Sequence, residues 1–232
     1  MKAHVIFDFD QTLLPGESTV EVIKLSLEGC QDAPQVIQRL AHIAPKALAG
    51  QASLAELLTL MKIIPRIRRE HVQRYIREQA NCLPEALRTT LRHLQEQQVG
   101  IHIISGGYME WIVPLAASWG INPQHVIANR FFWLGSRALA IRPSPLLSSS
   151  KGKSAIVREW RAKGRLNGPV IIVGDGAADH RVLVNGLVDD FICVDYYASA
   201  PLDCATSIKR AEHPTEVLGL IRQALAKHGS EI

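Results

Sequence analysis

The chain has 232 residues, yet no apolar stretch approaches the ~20 residues that a membrane-spanning helix needs. Met1-Lys2-Ala3-His4 runs straight into a short apolar segment, without the layout of a secretory leader. Both absences predict a soluble, cytoplasmic protein with no membrane partner. Cys30, Cys82, Cys193 and Cys204 are scattered, with no CxxC pair. This excludes the common zinc-ligand spacings, and a chain of this size has no need of disulfides, so reduced structural thiols are expected. There is no internal repeat. Two familiar phosphate loops are also missing. Lys151-Gly152-Lys153-Ser154 ends like a P-loop, but Leu147 stands where its first glycine belongs. Gly174-Asp175-Gly176 starts like a dinucleotide fingerprint, but Asp179 occupies the third glycine position.

A strong charge bias is absent too. The net charge of +4 suits anionic substrates or a solvated surface equally. Lys62, Arg66, Arg68, Arg69, Arg74 and Arg77 cluster against Glu70, with Tyr75 as their one aromatic neighbour. Without aromatic interleaving such a run reads as a charged helix face, so nucleic-acid binding is disfavoured.

Present in its place is Val5-Ile6-Phe7-Asp8-Phe9-Asp10-Gln11-Thr12-Leu13. The β-branched and aromatic residues predict a buried strand, and Pro15-Gly16 turns the chain away. Two carboxylates at the end of a buried strand need compensation, because an unpaired buried carboxylate is very costly. A divalent cation would supply it. Open α/β sheets bind ligands at the carboxyl ends of their strands.

The rest of the chain separates into two styles. Residues 15–82 read as helical throughout. Glu17 to Leu27 is closed by Gly29, and Asp32–Leu48 is interrupted near Pro45. Ser53 and Glu56 form a capping box ahead of a short helix with Leu54, Leu57, Leu58 and Met61 as its apolar face. Pro65 opens the basic helix. From Pro84, read as a first helical residue, strands alternate with helices. Gly100 ends the first of these helices, Ile101-His102-Ile103-Ile104 is a strand, and His102 within it reads as structural. Residues 108–119 are helical, with a kink or stop at Pro114. Val126-Ile127-Ala128 is a strand, and Phe131-Phe132-Trp133 and Ala138-Leu139-Ala140-Ile141 flank a Gly135-Ser136 hairpin, either a flap or core packing. A polar loop, Pro143 to Ser150, delivers Lys151 to a helix reaching Ala162. Strands at 169–173 and 191–194 and helices ending near Val184 and Lys227 complete the pattern. The fold class is α/β, a doubly wound parallel sheet. Its core comprises residues 1–14 and 83–232, with 15–82 as an inserted helical cap domain.

Four separated pieces carry chemistry: Asp8-Phe9-Asp10-Gln11-Thr12, Ile103-Ile104-Ser105-Gly106-Gly107, Lys151-Gly152-Lys153, and Val173-Gly174-Asp175-Gly176-Ala177-Ala178-Asp179. Taken alone, Ser105 is a helix cap, Lys151 a surface residue and Asp175 a turn residue. Together and in this order they resemble the haloacid dehalogenase superfamily of phosphatases, and within it the phosphoserine phosphatase branch. The resemblance covers most of the chain and implies a Rossmann-like core under a cap that closes the site. It implies Asp8 as nucleophile through an aspartyl-phosphate, and Asp10 as general acid and base. Ser105 and the Gly106 N–H would bind phosphate, and Lys151 would neutralise it, with Lys153 as the alternative. Mg2+ would be held by the Asp8 carboxylate, the Asp10 backbone carbonyl and Asp175, with Asp179 behind the metal or on the lysine.

The same resemblance makes Glu17 the partner of a substrate ammonium; as a residue it is equally a helix first-turn acid. Asn129 falls in a further segment resembling those enzymes. One departure stands out. The branch places an arginine for the substrate carboxylate in a Leu-x-Glu-Arg segment of the cap, and Leu54-Ala55-Glu56-Leu57 has leucine there. Arg66, Arg68 and Arg69 are the available replacements. The expected activity is Mg2+-dependent hydrolysis of a small phosphorylated metabolite, and the missing arginine points to one other than phosphoserine. The alternative is a phosphotransferase passing the phosphoryl group to an alcohol. Oligomeric state is left open.

Overall fold

At the centre of the molecule lies β1 (His4–Phe7), every residue of it buried. The computed structural model describes residues 2–48, 52–147, 151–197, 208–230 and 232. In them β1 pairs in parallel with β2 (Gly100–Tyr108) on one side and β6 (Val170–Gly174) on the other. With β3 (Val126–Asn129), β7 (Asp190–Val194) and β8 (Lys209–Ala211) the sheet runs β3-β2-β1-β6-β7-β8, all parallel. Strand order reverses between β1 and β6, which places a ligand crevice at their carboxyl ends.

Strand alternation sorts the core into two layers. Val5 and Phe7 face one cluster with Ile171, Val173, Ile192 and Val194. Ile6 faces the other with Val170, Ile172, Phe191 and Cys193. Helices α5 (Glu85–Glu96), α6 (Met109–Ser118) and α9 (Val217–Lys227) cover the first layer. Helices α7 (Gly152–Ala162) and α8 (Ala177–Val184) cover the second. Between β1 and β2 stand α1 (Ser18–Leu27), α2 (Ala33–Leu48), α3 (Leu54–Ile63) and α4 (Arg69–Gln79), with no strand among them. No helix among the described residues is long and apolar enough to cross a membrane.

Several local expectations need correction. Pro65 sits in a 3₁₀ turn, and the basic helix starts at Arg69. Pro84 is the N-cap of α5. Gly100 is the first residue of β2, where a Cβ would lie 2.3 Å from His4 Nδ1, so glycine there serves the approach of two strands. The backbones of α2 and α6 run on past Pro45 and Pro114. Pro114 is exposed, and lacking an N–H it leaves the Glu110 carbonyl without its helical partner. The short strand β8 carries none of the usual strand residues and went unforeseen. Among the described residues the apolar stripe of α3 is left exposed: Leu54, Leu57, Leu58 and Met61 are 74%, 42%, 49% and 56% exposed.

The hairpin of β4 (Phe131–Leu134) and β5 (Arg137–Ile141) stands apart from the main sheet. Its inner residue Phe131 stacks on Tyr108 at 4.0 Å. Ala138 N donates to Ile67 O (2.9 Å) and Arg69 N to Ser136 O (2.8 Å), tying it to the helical insertion. Cys30 and Cys82 are exposed and Cys193 is buried; Cys204 and the end of the Pro143–Ser150 loop lie outside the described residues.

Candidate active site

The site begins where β1 stops. Asp8 N continues the ladder to Val173 O (2.9 Å), and Phe9 N then donates to Asp8 Oδ1 (2.7 Å). Gln11 takes a left-handed φ of 53°, and Leu13 N and Leu14 N both donate to Phe9 O, at 2.9 and 3.2 Å. The chain thus leaves strand geometry before Asp10, and the tight loop separates the environments of the two carboxylates.

Asp8 meets a cation. Lys153 Nζ lies 2.5 Å from Asp8 Oδ2 and 2.7 Å from Asp179 Oδ1. Lys153 is only 7% exposed. Burial works against its charge, but the Asp179 and Asp8 carboxylates more than offset this and hold its pKa above the ordinary lysine value. Here the structure corrects the sequence: Lys151 is exposed at the start of α7, its carbonyl accepting from Ala155 N. The helix is pressed onto the preceding loop at Gly152, where a Cβ would lie 2.5 Å from Pro145 O. That contact sets the helix so that the third residue of the Lys-Gly-Lys piece faces the carboxylates.

The turn after β6 supplies two more acids. A Cβ at Gly174 would lie 2.3 Å from Asp179 Cγ, so the glycine makes room for this carboxylate. Asp179, in the first turn of α8, is 1% exposed, and its Oδ2 has no hydrogen-bond partner among the described residues. Oxygens of Asp8, Asp175 and Asp179 lie within 4.8 Å of one another. Burial raises the pKa of Asp175 and of Asp179, and the Asp8 charge adds to both. Three acids around one ammonium leave negative charge uncompensated. An all-oxygen donor set with an unsatisfied buried carboxylate oxygen fits a hard divalent cation.

Asp10 is held differently. Ser18 N donates to its Oδ1 (2.9 Å) and Ser18 Oγ to its Oδ2 (3.0 Å), while Trp111 Nε1 donates to Ser18 Oγ (2.9 Å). Burial pushes the Asp10 carboxyl well above the usual range, Glu17 adds to this, and the Ser18 hydrogen bonds oppose it. Ser18 and Trp111 escaped sequence reasoning, because neither belongs to a motif. With its carboxylate engaged by Ser18, Asp10 retains its main-chain carbonyl for an ion.

Ser105 is buried and Gly106 exposed at the end of β2, and Gly107 N donates to Ser105 Oγ (3.0 Å). A Cβ at Gly107 would lie 3.1 Å from Ser18 Oγ and 3.4 Å from Asp10 Oδ2, so glycine lets this loop close on Asp10. Glu17 is the N-cap of α1 but makes no capping bond; its Oε1 accepts from Gln11 Nε2 (3.1 Å). Burial raises its pKa, the Gln11 hydrogen bond opposes this, and the Asp8 charge adds to it.

Two of the three candidate arginines are occupied elsewhere, and the third, Arg68, makes only a loose surface pair. Arg66 makes a bidentate pair with Asp32 (2.8 and 2.5 Å). Arg68 lies 3.9 Å from Glu70. Arg69 donates to Gly135 O (3.1 Å), with its guanidinium 4.5 Å from the Trp133 ring centroid. Arg74 of the same basic run pairs with Glu28 and Glu78.

Comparison with known proteins identifies the family. Residues 5–183 match the family model of haloacid dehalogenase-like hydrolases. Phosphoserine phosphatase of Homo sapiens is 30% identical over 177 residues, 75% of this chain and 74% of that one. A phosphoserine phosphohydrolase-like protein from Francisella tularensis subsp. tularensis SCHU S4 superposes with a TM-score of 0.78 at 24% identity, over 95% of this chain and 100% of that one. A structure described as a phospho-aspartyl intermediate analogue of phosphoserine phosphatase has a TM-score of 0.63 at 20% identity, covering 84% of this chain and 87% of that one. By sequence and by architecture, then, the chain belongs to the haloacid dehalogenase-like hydrolases, as a phosphatase of the phosphoserine phosphatase-like type.

Proposed function

We propose that the chain hydrolyses a small phosphomonoester through an aspartyl-phosphate on Asp8. The observation that carries this is the Asp8 carboxylate held 2.5 Å from buried Lys153, beside Asp175 and Asp179. Asp8 attacks phosphorus, and the bond from phosphorus to the substrate oxygen breaks. Asp10 gives that oxygen its proton and then takes one from the attacking water. Water attack on the acyl phosphate regenerates Asp8 and releases phosphate. Lys153 and the Ser105 loop neutralise the transferring group. Asp8, Asp175 and Asp179, with the Asp10 carbonyl, would hold Mg2+, which supplies charge compensation for an anion meeting an anionic nucleophile. The helical insertion acts as the cap that excludes water.

The test uses an aryl phosphate. Asp8→Asn should lower turnover more than about 10²-fold with unchanged melting, since an amide is a far poorer nucleophile. Chelation by EDTA should abolish wild-type turnover, and added Mg2+ should restore it. Turnover undiminished in metal-free buffer rules out the metal site.

The substrate carries an amine and no carboxylate. Glu17 offers a carboxylate to a cation, while Leu57 stands at the expected arginine position, Arg66 and Arg69 are engaged elsewhere and Arg68 lies exposed at the surface. A carboxylate left unpaired in a closed site loses a strong charge-assisted contact. Phosphoethanolamine should therefore exceed phosphoserine in kcat/KM; a phosphoserine advantage of about tenfold or more, worth ~1.4 kcal/mol, would show that an arginine swings in.

A further inference from the structure

Among the buried polar groups not used above, Asn129 is the one that touches the phosphate loop. It is the last residue of β3, 3% exposed, and its Nδ2 donates to Gly106 O (2.8 Å). Its Oδ1 is buried and has no partner among the described residues. Burying an amide that is only half satisfied is unfavourable, so its donor bond needs a purpose.

The strand register supplies one. Ile104 pairs with Ile127 and Tyr108 with Asn129, so Ser105, Gly106 and Gly107 stand opposite Ala128 alone. The loop is a bulge out of the ladder. At its crest the peptide between Gly106 and Gly107 is pinned at both ends. The carbonyl is held by Asn129 and the N–H by Ser105 Oγ. A serine hydroxyl that accepts from Gly107 has its single proton left to donate elsewhere.

We propose that Asn129 is a positioning residue for phosphate. It fixes the Gly106–Gly107 peptide, and through it the Ser105 hydroxyl, without touching the ligand. The proposal rests on the phosphatase reading of this same site. Two glycines in the bulge make the peptide free to flip unless something holds it.

The experiment measures inorganic phosphate binding by calorimetry, with melting curves, for wild type, Asn129→Ala and Asn129→Asp, from pH 6 to pH 8. At pH 8 both variants should bind about five- to tenfold more weakly than wild type, the range of one lost hydrogen bond. As pH falls, Asn129→Asp should recover relative to wild type, because a protonated acid donates to Gly106 O and a carboxylate repels it. Asn129→Ala should not recover. A merely structural role would lower melting in both variants with no pH-dependent rescue of binding. Should Asn129→Ala not fold, the pH profile of the isosteric Asn129→Asp decides alone. Wild type that binds phosphate while Asn129→Asp binds equally well at every pH overturns this proposal alone. Wild type that binds no phosphate overturns the phosphatase reading along with it.

Discussion

Which lysine serves the site is decided by where the helix begins. Lys151 is the exposed N-cap of α7, with non-helical backbone, whereas Lys153 is its second helical residue and is buried against the carboxylates. The sequence offers both, and the glycine between them argues for the first. The contact of Gly152 with the Pro145 carbonyl, a tertiary fact, sets the helix so that the second lysine points inward. Lys153→Met should therefore lower kcat by about 10²-fold or more, the scale of losing one preorganised charge stabiliser. Lys151→Met should stay within about twofold, as for an exposed side chain. The reverse ranking in steady-state rates on an aryl phosphate would return the role to Lys151. The aspartates were legible only as members of the ordered set of four pieces, since the acid of a Gly-Asp-Gly turn taken alone reads as a turn residue; the structure brings Asp8, Asp175 and Asp179 together. Ser18, which grips Asp10 through both backbone and side chain, was not legible, since a serine opening a helix normally serves only as a cap.

Elements were legible where hydrophobic period and capping agreed. Ser53 is the clearest case: Glu56 N donates to Ser53 Oγ (3.3 Å), and Ser53 N donates back to Glu56 Oε2 (2.8 Å). Yet among the described residues the stripe this cap precedes is left exposed. Periodicity reports which side chains share a face, and is silent on whether anything covers that face. With so little burial, α3 depends on its cap. Ser53→Ala should destabilise it locally by about 1 kcal/mol, seen as roughly fivefold faster amide exchange across α3. Exchange unchanged there, while the mutation is verified, would mean tertiary contacts hold the helix. The basic run misled at its start because Pro65 is as good in a 3₁₀ turn as in a first helical turn. The three-residue β8 is recognisable only from its pairing with β7.

On the scale of the molecule, the parallel sheet and the helical insertion follow from the alternation of patterns along the chain. What the sequence hid is the far end of the sheet. There His4 and His102 are both buried, with His4 Nδ1 3.1 Å from His102 Nε2, and the His125 ring 4.7 Å from that of His102. Burial drives both His4 and His102 below the ordinary histidine range, His102 to about 3. The unfolded chain binds these protons more readily than the folded one. Stability is therefore full above the unfolded value of about 6.5 and is lost as pH falls from there toward 3. Denaturant titrations at pH 7.5 and pH 5 should show that loss, and His102→Gln should reduce it. An unchanged pH slope in the variant would clear the histidines of responsibility. This cluster sits at the opposite end of the strands from the carboxylates.

The helical insertion also has a consequence for biogenesis. Phe7 is synthesised long before either of its partners, Ile103 and Val173. At ~5–20 residues per second, the strand that leads into Asp8 waits several seconds or more for each neighbour. Meanwhile its apolar edges are bare, and parallel pairings across such separations are slow to form. The chain makes the middle strand of its sheet first and flanks it on the second side only when β6 emerges, so a ribosome-tethered fragment ending before β6 holds Asp8 with only half of its walls.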